Sequence, residues 1–237
     1  MIPAARPDGP EEAERPGTRV PIGPFGIIIL AGGHATRLGG ADKPGLVVGG
    51  QSLLGAVITA GTEAGAARVV VVGPERPHIA GARRGPLRFV SEEPPGSGPV
   101  PALRRGLAGL DGSARDGRAE QATAAEPWVA VLAADLPFLR AAHLRALLTA
   151  AAGGDGAVLA DDGGRLQWLA GCWRTEVLRR AATTYQGSSL HGLLAPLRPV
   201  IVSLPARPGE PPPWLDCDTE QDLRRAQHWA AGMTGPH

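Results

Sequence analysis

Short apolar runs that alternate with helical patterns restrict the fold of this sequence more than any other feature. The runs at 27–30, 68–72 and 128–133 are almost wholly apolar and have the length of buried strands. Between them, 52–64 and 102–110 have the apolar spacing of helices. Strands that are apolar throughout are buried on both faces, as in parallel sheets joined by crossover helices. We therefore expect an α/β protein with three layers: a mostly parallel twisted sheet with helices on both faces.

Length and local composition indicate a single folded domain. The chain has 237 residues, enough to bury a core, and we assign 25–232 to one domain. Residues 1–24 are rich in Pro, Gly, Glu and Arg without apolar periodicity, so we expect a disordered leader there and a short tail at 233–237. The remaining predicted elements are strands at 87–90, 156–160, 168–172 and 200–204 and helices at 140–152, 174–182, 188–194 and 219–231.

Charge and composition exclude several classes of protein. The 24 basic and 23 acidic side chains give a net charge of +1, which does not favour nucleic acid or an anionic membrane as a partner. No apolar run approaches the roughly 20 residues of a membrane span, and the N-terminus lacks a secretory signal pattern. Cys172 and Cys217 are too few for a disulfide scaffold or a zinc site. We expect a cytoplasmic protein.

A glycine-rich loop with two cations follows the first predicted strand. Its sequence is LAGGHATRLGGADKPG, in which Gly32 and Gly33 allow a ligand to approach the backbone. Arg37 and Lys43 have the charges to bind a polyphosphate, and Lys43 is the only lysine in a chain whose other basic residues are arginine. The loop matches neither a P-loop nor a dinucleotide-binding fingerprint. The alternative is a glycine-rich turn with solvated charges.

Two acidic segments contain candidate metal ligands. Asp135 follows the buried strand 128–133, where a carboxylate projects into the crevice at the strand ends, and Mg²⁺ prefers such oxygen ligands. Its alternative role is the N-cap of the next helix. Asp216 and Asp218 alternate along an extended segment, so both side chains can point to one side. They are candidate ligands, with capping or solvated acids as the alternative.

The pattern LAGG-x-x-x-R-x-G-G-x-D-K resembles the signature of the nucleotidyltransferase family that includes molybdenum cofactor guanylyltransferase. Four later segments match the same family in the same order, and the resemblance spans about 26–230. These segments are 92–109, 129–139, 187–194 and 214–223. The resemblance implies a Rossmann-like nucleotidyltransferase fold.

The resemblance also assigns roles to residues. It implies catalytic roles for Arg37, Lys43 and Asp135, and a metal site of Asp135 with Asp218 first and Asp216 second. Glu93 stands where the family usually has Asp beside the nucleotide base. Arg165 and Gln167 match a family strand that faces the acceptor. The nucleotide-binding residues implied by the resemblance are Leu30, Ala31, Gly32, Gly33, Arg37, Lys43, Glu93, Gly98 and Pro99.

The activity implied by the resemblance is Mg²⁺-dependent transfer of GMP from GTP to molybdopterin, with release of pyrophosphate. Two alternatives within the enzyme class are cytidylyl transfer to molybdopterin and transfer to a sugar phosphate or a small phospho-acid. A non-catalytic nucleotide-binding homologue is a third alternative, and the missing dinucleotide fingerprint argues against an oxidoreductase. Molybdoenzymes or cofactor-biosynthesis proteins are the expected protein partners.

Overall fold

A mixed seven-stranded sheet forms the middle layer of the molecule. The computed structural model describes residues 23–32, 42–76, 87–111, 126–204, 206 and 209–233. In chain order the described strands are β1 (Phe25–Leu30), β2 (Val47–Val48), β3 (Gln51–Ser52), β4 (Arg68–Val72), β5 (Leu87–Val90), β6 (Trp128–Ala133), β7 (Gly156–Ala160), β8 (Leu166–Arg174) and β9 (Val200–Ser203). Seven of them form the sheet in the order β5-β4-β1-β6-β8-β7-β9, while β2 and β3 pair with each other.

Helices cover both faces of the sheet. They are α1 (Leu53–Ala64), α2 (Pro99–Leu110), α3 (Ala141–Ala151), α4 (Thr175–Thr184), α5 (Leu190–Leu194) and α6 (Glu220–Met233). Side chains of β1 alternate between the faces, so Ile27 and Ile29 pack with α1 and α3, and Ile28 packs with α2, α4 and α5. The predicted three-layer α/β fold is confirmed. No helix in the described ranges is long and apolar enough to cross a membrane.

The register of the central strands brings their carboxyl ends to one edge of the sheet. Strand β1 runs parallel to β4 and β6, and Leu30 at its end is paired with Val72 and with Ala133. Strand β8 runs antiparallel to β6, with Ala170 opposite Leu132, so the first residues of β8 reach the same edge. We call this edge, where β1, β4 and β6 end and β8 begins, the carboxyl edge.

Two predicted elements differ most from the structure in their extent. The strand predicted at 168–172 is the nine-residue β8, whose direction is opposite to that of its neighbours. The helix predicted at 102–110 begins earlier, at Pro99. Proline at the first helical position has a helical φ already fixed, and Gly98 supplies the N-cap residue with φ 101°. The Pro-Gly composition of this segment favours a loop, but its prolines occupy the first turn.

The β2–β3 hairpin was not predicted. Its strands have two residues each, which is too short to show an alternating pattern. The turn residues Gly49 and Gly50 both have positive φ, 60° and 81°, as a tight hairpin turn requires. The hairpin packs with α6 through a separate small core that contains Val48, Leu53, Phe138, Cys217, Ala226 and Ala230.

Close packing of α2 on β1 provides a test of the fold. A β-carbon added to Gly106 would overlap Ile28 Cγ2. Gly106→Ala should therefore destabilise the protein, because overpacking costs about 1–3 kcal/mol and alanine gains only about 1 kcal/mol over glycine in a helix. Gly232→Ala in α6 is the control, since a β-carbon added there would have no atom within 4 Å, and stability should not fall. Equal melting temperatures for the two variants would contradict this packing.

Candidate active site

Three distant segments of the chain meet around the ammonium group of Lys43. Lys43 Nζ contacts Asp135 Oδ2 and Asp218 Oδ1, and it pairs with both carboxylates. The Lys43 and Asp135 side chains are 18% and 14% exposed, while that of Asp218 is 55% exposed. The cluster is therefore half-enclosed, with Asp218 on the open side. We call Lys43, Asp135 and Asp218 the Lys43 cluster.

A short 3₁₀ turn, Lys43–Gly45, presents the lysine. Its backbone is closed by hydrogen bonds from Gly45 N to Asp42 O (2.9 Å) and from Leu46 N to Lys43 O (3.1 Å). Leu53 N, at the start of α1, donates to Leu46 O over 2.9 Å. The turn is thus tied to the first residue of α1, and the Lys43 side chain extends from a fixed backbone.

Asp135 lies at the carboxyl edge, directly after β6. Strand β6 ends at Ala133, and helix α3 begins at Ala141 with Arg140 as its N-cap residue. Asp135 therefore does not cap α3, which removes the structural alternative considered for it. Its carboxylate is held instead by the Lys43 ammonium.

Asp216 and Asp218 flank a buried cysteine just before α6. Cys217 is fully buried in the small core, which fixes the extended segment on the protein. The helix is capped by Thr219 and Asp222: Thr219 N donates to Asp222 Oδ2 (2.8 Å), and Asp222 N donates to Thr219 Oγ1 (3.2 Å). Because these residues cap the helix, Asp218 is available to the Lys43 cluster.

The charges of the cluster change the titration of its members. Partial burial by itself would lower the pKa of Lys43, but the carboxylates of Asp135 and Asp218 outweigh burial, and the pKa is raised. Lys43 is therefore a cation at neutral pH. Burial raises the pKa of Asp216, and the nearby carboxylates of Asp218 and Asp135 raise it further. Asp216 thus lies in the electrostatic field of the cluster.

The donor atoms of the cluster fit a magnesium ion that arrives with a phosphate ligand. Within the described ranges, no three or more His, Cys, Asp or Glu side chains are grouped to hold a metal ion by themselves. Asp135 and Asp218 nevertheless share one cation, the Lys43 ammonium. Mg²⁺ commonly binds one or two protein carboxylates and completes its coordination with phosphate oxygens and water.

The loop that begins after β1 approaches an acidic side chain that sequence reasoning missed. Leu30 ends β1, and Ala31 N donates to Val72 O over 2.9 Å. At Gly32, a β-carbon would lie 2.6 Å from Glu92 Oε1, so this carboxylate lies directly against the glycine. Glu92 Oε2 also accepts a hydrogen bond from Gly96 N (3.1 Å), which holds the side chain in place. Gly33 and Arg37 lie outside the described residues.

The neighbouring Glu93 lines a cavity that Glu92 also borders. A cavity of about 610 Å³ lies between β5 and α2, and none of the Lys43 cluster lines it. Its lining residues are Arg88, Val90, Glu92, Glu93, Pro101, Arg104, Arg105, Ala108 and Gly109. Gly98 and Pro99 form the N-terminus of α2, with Gly98 in a positive-φ conformation. The sequence has no local signal that separates Glu92 from Glu93, because the two acidic residues are adjacent and both border this cavity.

The two residues implied for the acceptor lie at the start of β8. Asp161 Oδ1 accepts a hydrogen bond from Arg165 N (2.9 Å), and Asp161 Oδ2 accepts one from the Gln167 amide (3.1 Å). Trp168 follows and makes an edge-to-face contact with His191, with ring centroids 5.4 Å apart. Since β8 begins at the carboxyl edge, these residues lie at the same edge as Asp135, beyond β6.

Comparison with known proteins supports one family. The MobA-like NTP transferase domain matches residues 27–201 of this chain. A molybdenum cofactor guanylyltransferase from Bradyrhizobium sp. (strain ORS 278) is 33% identical over 218 residues, and the match covers 86% of this chain and 92% of that protein.

Solved structures with the same fold have lower sequence identity. A nucleotidyl transferase from Methanothermobacter thermautotroptrophicus superposes with a TM-score of 0.65 at 19% identity, covering 87% of this chain and 98% of the other. The molybdopterin-guanine dinucleotide biosynthesis protein A from Archaeoglobus fulgidus gives 0.60 at 16% identity, with 87% and 98% covered. The 4-diphosphocytidyl-2C-methyl-D-erythritol synthase from Anaerococcus prevotii gives 0.63 at 12% identity, with 90% and 98% covered. At these identities the likeness establishes the fold.

Proposed function

The chain belongs to the MobA-like NTP transferase family and is a nucleotidyltransferase, and we propose that it transfers GMP from GTP to molybdopterin. The observation that carries the proposal is the Lys43 cluster, in which two carboxylates and one ammonium from distant segments meet at the carboxyl edge. In open α/β sheets this edge is where ligands bind. The guanylyl and molybdopterin specificity rests on the Bradyrhizobium relative, whose name states that activity.

In the proposed reaction, a phosphate oxygen of the acceptor attacks the α-phosphorus of the nucleotide. The bond from that phosphorus to the oxygen bridging to the β-phosphate breaks, and pyrophosphate leaves with the electron pair. The acceptor phosphate is largely ionised at neutral pH, so the protein has no proton to remove. Its tasks are to hold the two substrates in line and to stabilise negative charge.

Each residue of the Lys43 cluster has a role in this scheme. Asp135 and Asp218 would hold Mg²⁺, which supplies positive charge to the phosphates when it is bound. Lys43 supplies a positive charge beside that site, and its raised pKa keeps it protonated at neutral pH. Asp216 is the alternative second ligand for Mg²⁺, and the charges of Asp218 and Asp135 act on its carboxyl group. Arg37 remains a predicted phosphate contact.

The direct test measures pyrophosphate release by the purified protein with Mg²⁺. Each of GTP, CTP, ATP and UTP is combined with molybdopterin, a sugar phosphate or a small phospho-acid, and the product is identified by mass spectrometry. We expect turnover with GTP and molybdopterin. Preferred use of CTP or of another acceptor would replace the proposed specificity, and nucleotide binding without turnover would indicate a non-catalytic homologue.

Substitutions of the two carboxylates test whether they act as one unit. We expect kcat to fall roughly a hundredfold for Asp135→Asn, the scale seen when one charge-stabilising group is lost. The loss should be smaller for Asp218→Asn, because its side chain is 55% exposed and that of Asp135 only 14%. The double variant should be little worse than Asp135→Asn, since groups that hold one ion are not additive.

The control for these variants is Asp155→Asn. Asp155 precedes β7 at the opposite edge of the sheet and pairs with Arg174 over 3.6 Å, so its loss should not change kcat. If kcat of the Asp135/Asp218 double variant fell by the product of the two single-variant losses, the two carboxylates would not share an ion.

A second prediction concerns recognition of the base. The Glu92 carboxylate lies against Gly32, and it can accept hydrogen bonds from the two adjacent N–H groups on the Watson–Crick edge of guanine. Glu92→Gln removes one acceptor and should lower kcat/KM for GTP about tenfold or more, since a bidentate base contact is worth about 1–3 kcal/mol. Glu93→Gln is the matched variant. A loss of GTP preference in Glu93→Gln alone would assign the base contact to Glu93.

A further inference from the structure

A buried arginine holds the residue that precedes Lys43. The Arg76 side chain is only 7% exposed, and its guanidinium forms an ion pair with the carboxylate of Asp42. Arg76 Nε lies 2.9 Å from Asp42 Oδ2, and Nη2 lies 2.6 Å from Oδ1, while Nη1 donates to Pro74 O over 3.1 Å. Paired contacts of this kind fix both distance and orientation. The scheme proposed above uses neither residue.

The pair connects the lysine turn to the sheet. Arg76 follows β4, and Gly73 after that strand packs so closely on the loop after β1 that its β-carbon would lie 2.9 Å from Ala31 O. On the other side of the pair, a β-carbon on Gly45 would lie 2.7 Å from Asp42 Oδ2. The 3₁₀ turn therefore packs directly against the Asp42 carboxylate. The backbone that presents Lys43 is thus bound from two directions: to α1 through Leu46, and to the end of β4 through Asp42.

A lysine needs such support to act at a fixed point. Its ammonium stands on a flexible four-carbon chain, so its position depends on the backbone from which the chain extends. Misplacement of a reacting group by about 1 Å can cost a hundredfold in rate. The Arg76 side chain is nearly excluded from water but the Asp42 side chain is half-exposed, so salt screens this ion pair only in part.

We infer that Arg76 is a positioning residue, which acts through Asp42 to hold the Lys43 ammonium between Asp135 and Asp218. As far as turnover is concerned, the inference rests on the proposed function. The placement of the ammonium itself does not depend on that function, and it can be measured separately.

The activity test uses Arg76→Gln and Asp42→Asn, each alone and combined with Lys43→Ala. Each single variant should lower kcat by roughly ten- to a hundredfold and leave KM for the acceptor unchanged. In the Lys43→Ala background neither should cause a further loss, because a positioning residue has nothing left to position. Melting curves establish the folded fraction. An equal loss of kcat in both backgrounds, at full folding, would mean that the pair is merely structural.

The control is a similar pair far from the Lys43 cluster. Arg179 in α4 forms two hydrogen bonds with Asp111: Nη1 donates to Oδ2 (2.8 Å) and Nη2 donates to Oδ1 (2.6 Å). Arg179 Nη2 also donates to Leu107 O over 3.2 Å. Arg179→Gln removes comparable contacts and should leave kcat unchanged. A loss of kcat in Arg179→Gln as large as in Arg76→Gln would show that any broken arginine pair lowers activity, and it would overturn the inference.

The second measurement exploits the fact that Lys43 is the only lysine in the chain. Acylation by an amine reagent, read by mass spectrometry of the peptide that contains Lys43, reports on this one side-chain amine. Its pairing with two carboxylates should make acylation slow in the wild type. Arg76→Gln and Asp42→Asn should accelerate it roughly three- to tenfold, which lies in the lower part of the range of couplings between contacting groups, and Arg179→Gln should not.

The two measurements fail in different ways. If the wild type does not turn over but the labelling rates rise as expected, the proposed function is wrong and the positioning role stands. Unchanged labelling in folded Arg76→Gln and Asp42→Asn would overturn the positioning role whatever the activity. If Arg76→Gln does not fold, Asp42→Asn decides, because its side chain is 51% exposed and its replacement leaves no buried gap.

Discussion

Parallel pairing of β1 with β4 and β6 sets the position of every group at the carboxyl edge. Because Leu30 is paired with both Val72 and Ala133, the three strands end at one level. Asp135 leaves the sheet at this level, next to the end of β1. A slip of one residue would turn the core side chains of β6 to the other face, so the buried apolar contacts on both faces oppose it. The geometry of the site therefore depends on a register that the core maintains.

Electrostatic balance at this edge favours a ligand that brings both phosphates and a cation. Two carboxylates against one ammonium leave the Lys43 cluster with net negative charge. A nucleoside triphosphate is itself a polyanion, and the cluster alone would repel it. A divalent ion reverses that balance and is the kind of ion that two carboxylates and phosphate oxygens hold together. Burial and the acidic neighbours Asp218 and Asp135 raise the pKa of Asp216, as expected for a carboxyl beside other negative charges.

The sequence predicted best what depends on local pattern. The positions of β1, β4 and β6 could be predicted because each is a continuous apolar run bounded by glycine or an acidic residue. The resemblance implied that Asp135 and Asp218 lie together, but it did not imply the ion pairs that both make with Lys43. The start of α2 was missed because a Gly-Pro segment indicates a loop until its proline is placed in the first helical turn. Arg76 was missed for a different reason. A single arginine in a Pro-rich segment has no local signal, and its role is visible only when folding brings Asp42 against it.

Strand order explains why the groups discussed here form one elongated site. Along the carboxyl edge, β5 is followed by β4, β1, β6 and β8. Glu92 follows β5, the glycine loop follows β1, Asp135 follows β6, and Gln167 lies near the start of β8. With neighbouring strands about 4.8 Å apart, these positions extend over roughly 19 Å. In the proposed function, a base beside Glu92, whose carboxylate reaches from the end of β5 to Gly32, phosphates at β1, a metal at β6 and an acceptor at β8 would follow the chemical order of a nucleotide joined to its acceptor. In the proposed reaction, that order would place the α-phosphorus between the groups proposed to bind the nucleotide and those proposed to bind the acceptor, as an in-line displacement requires.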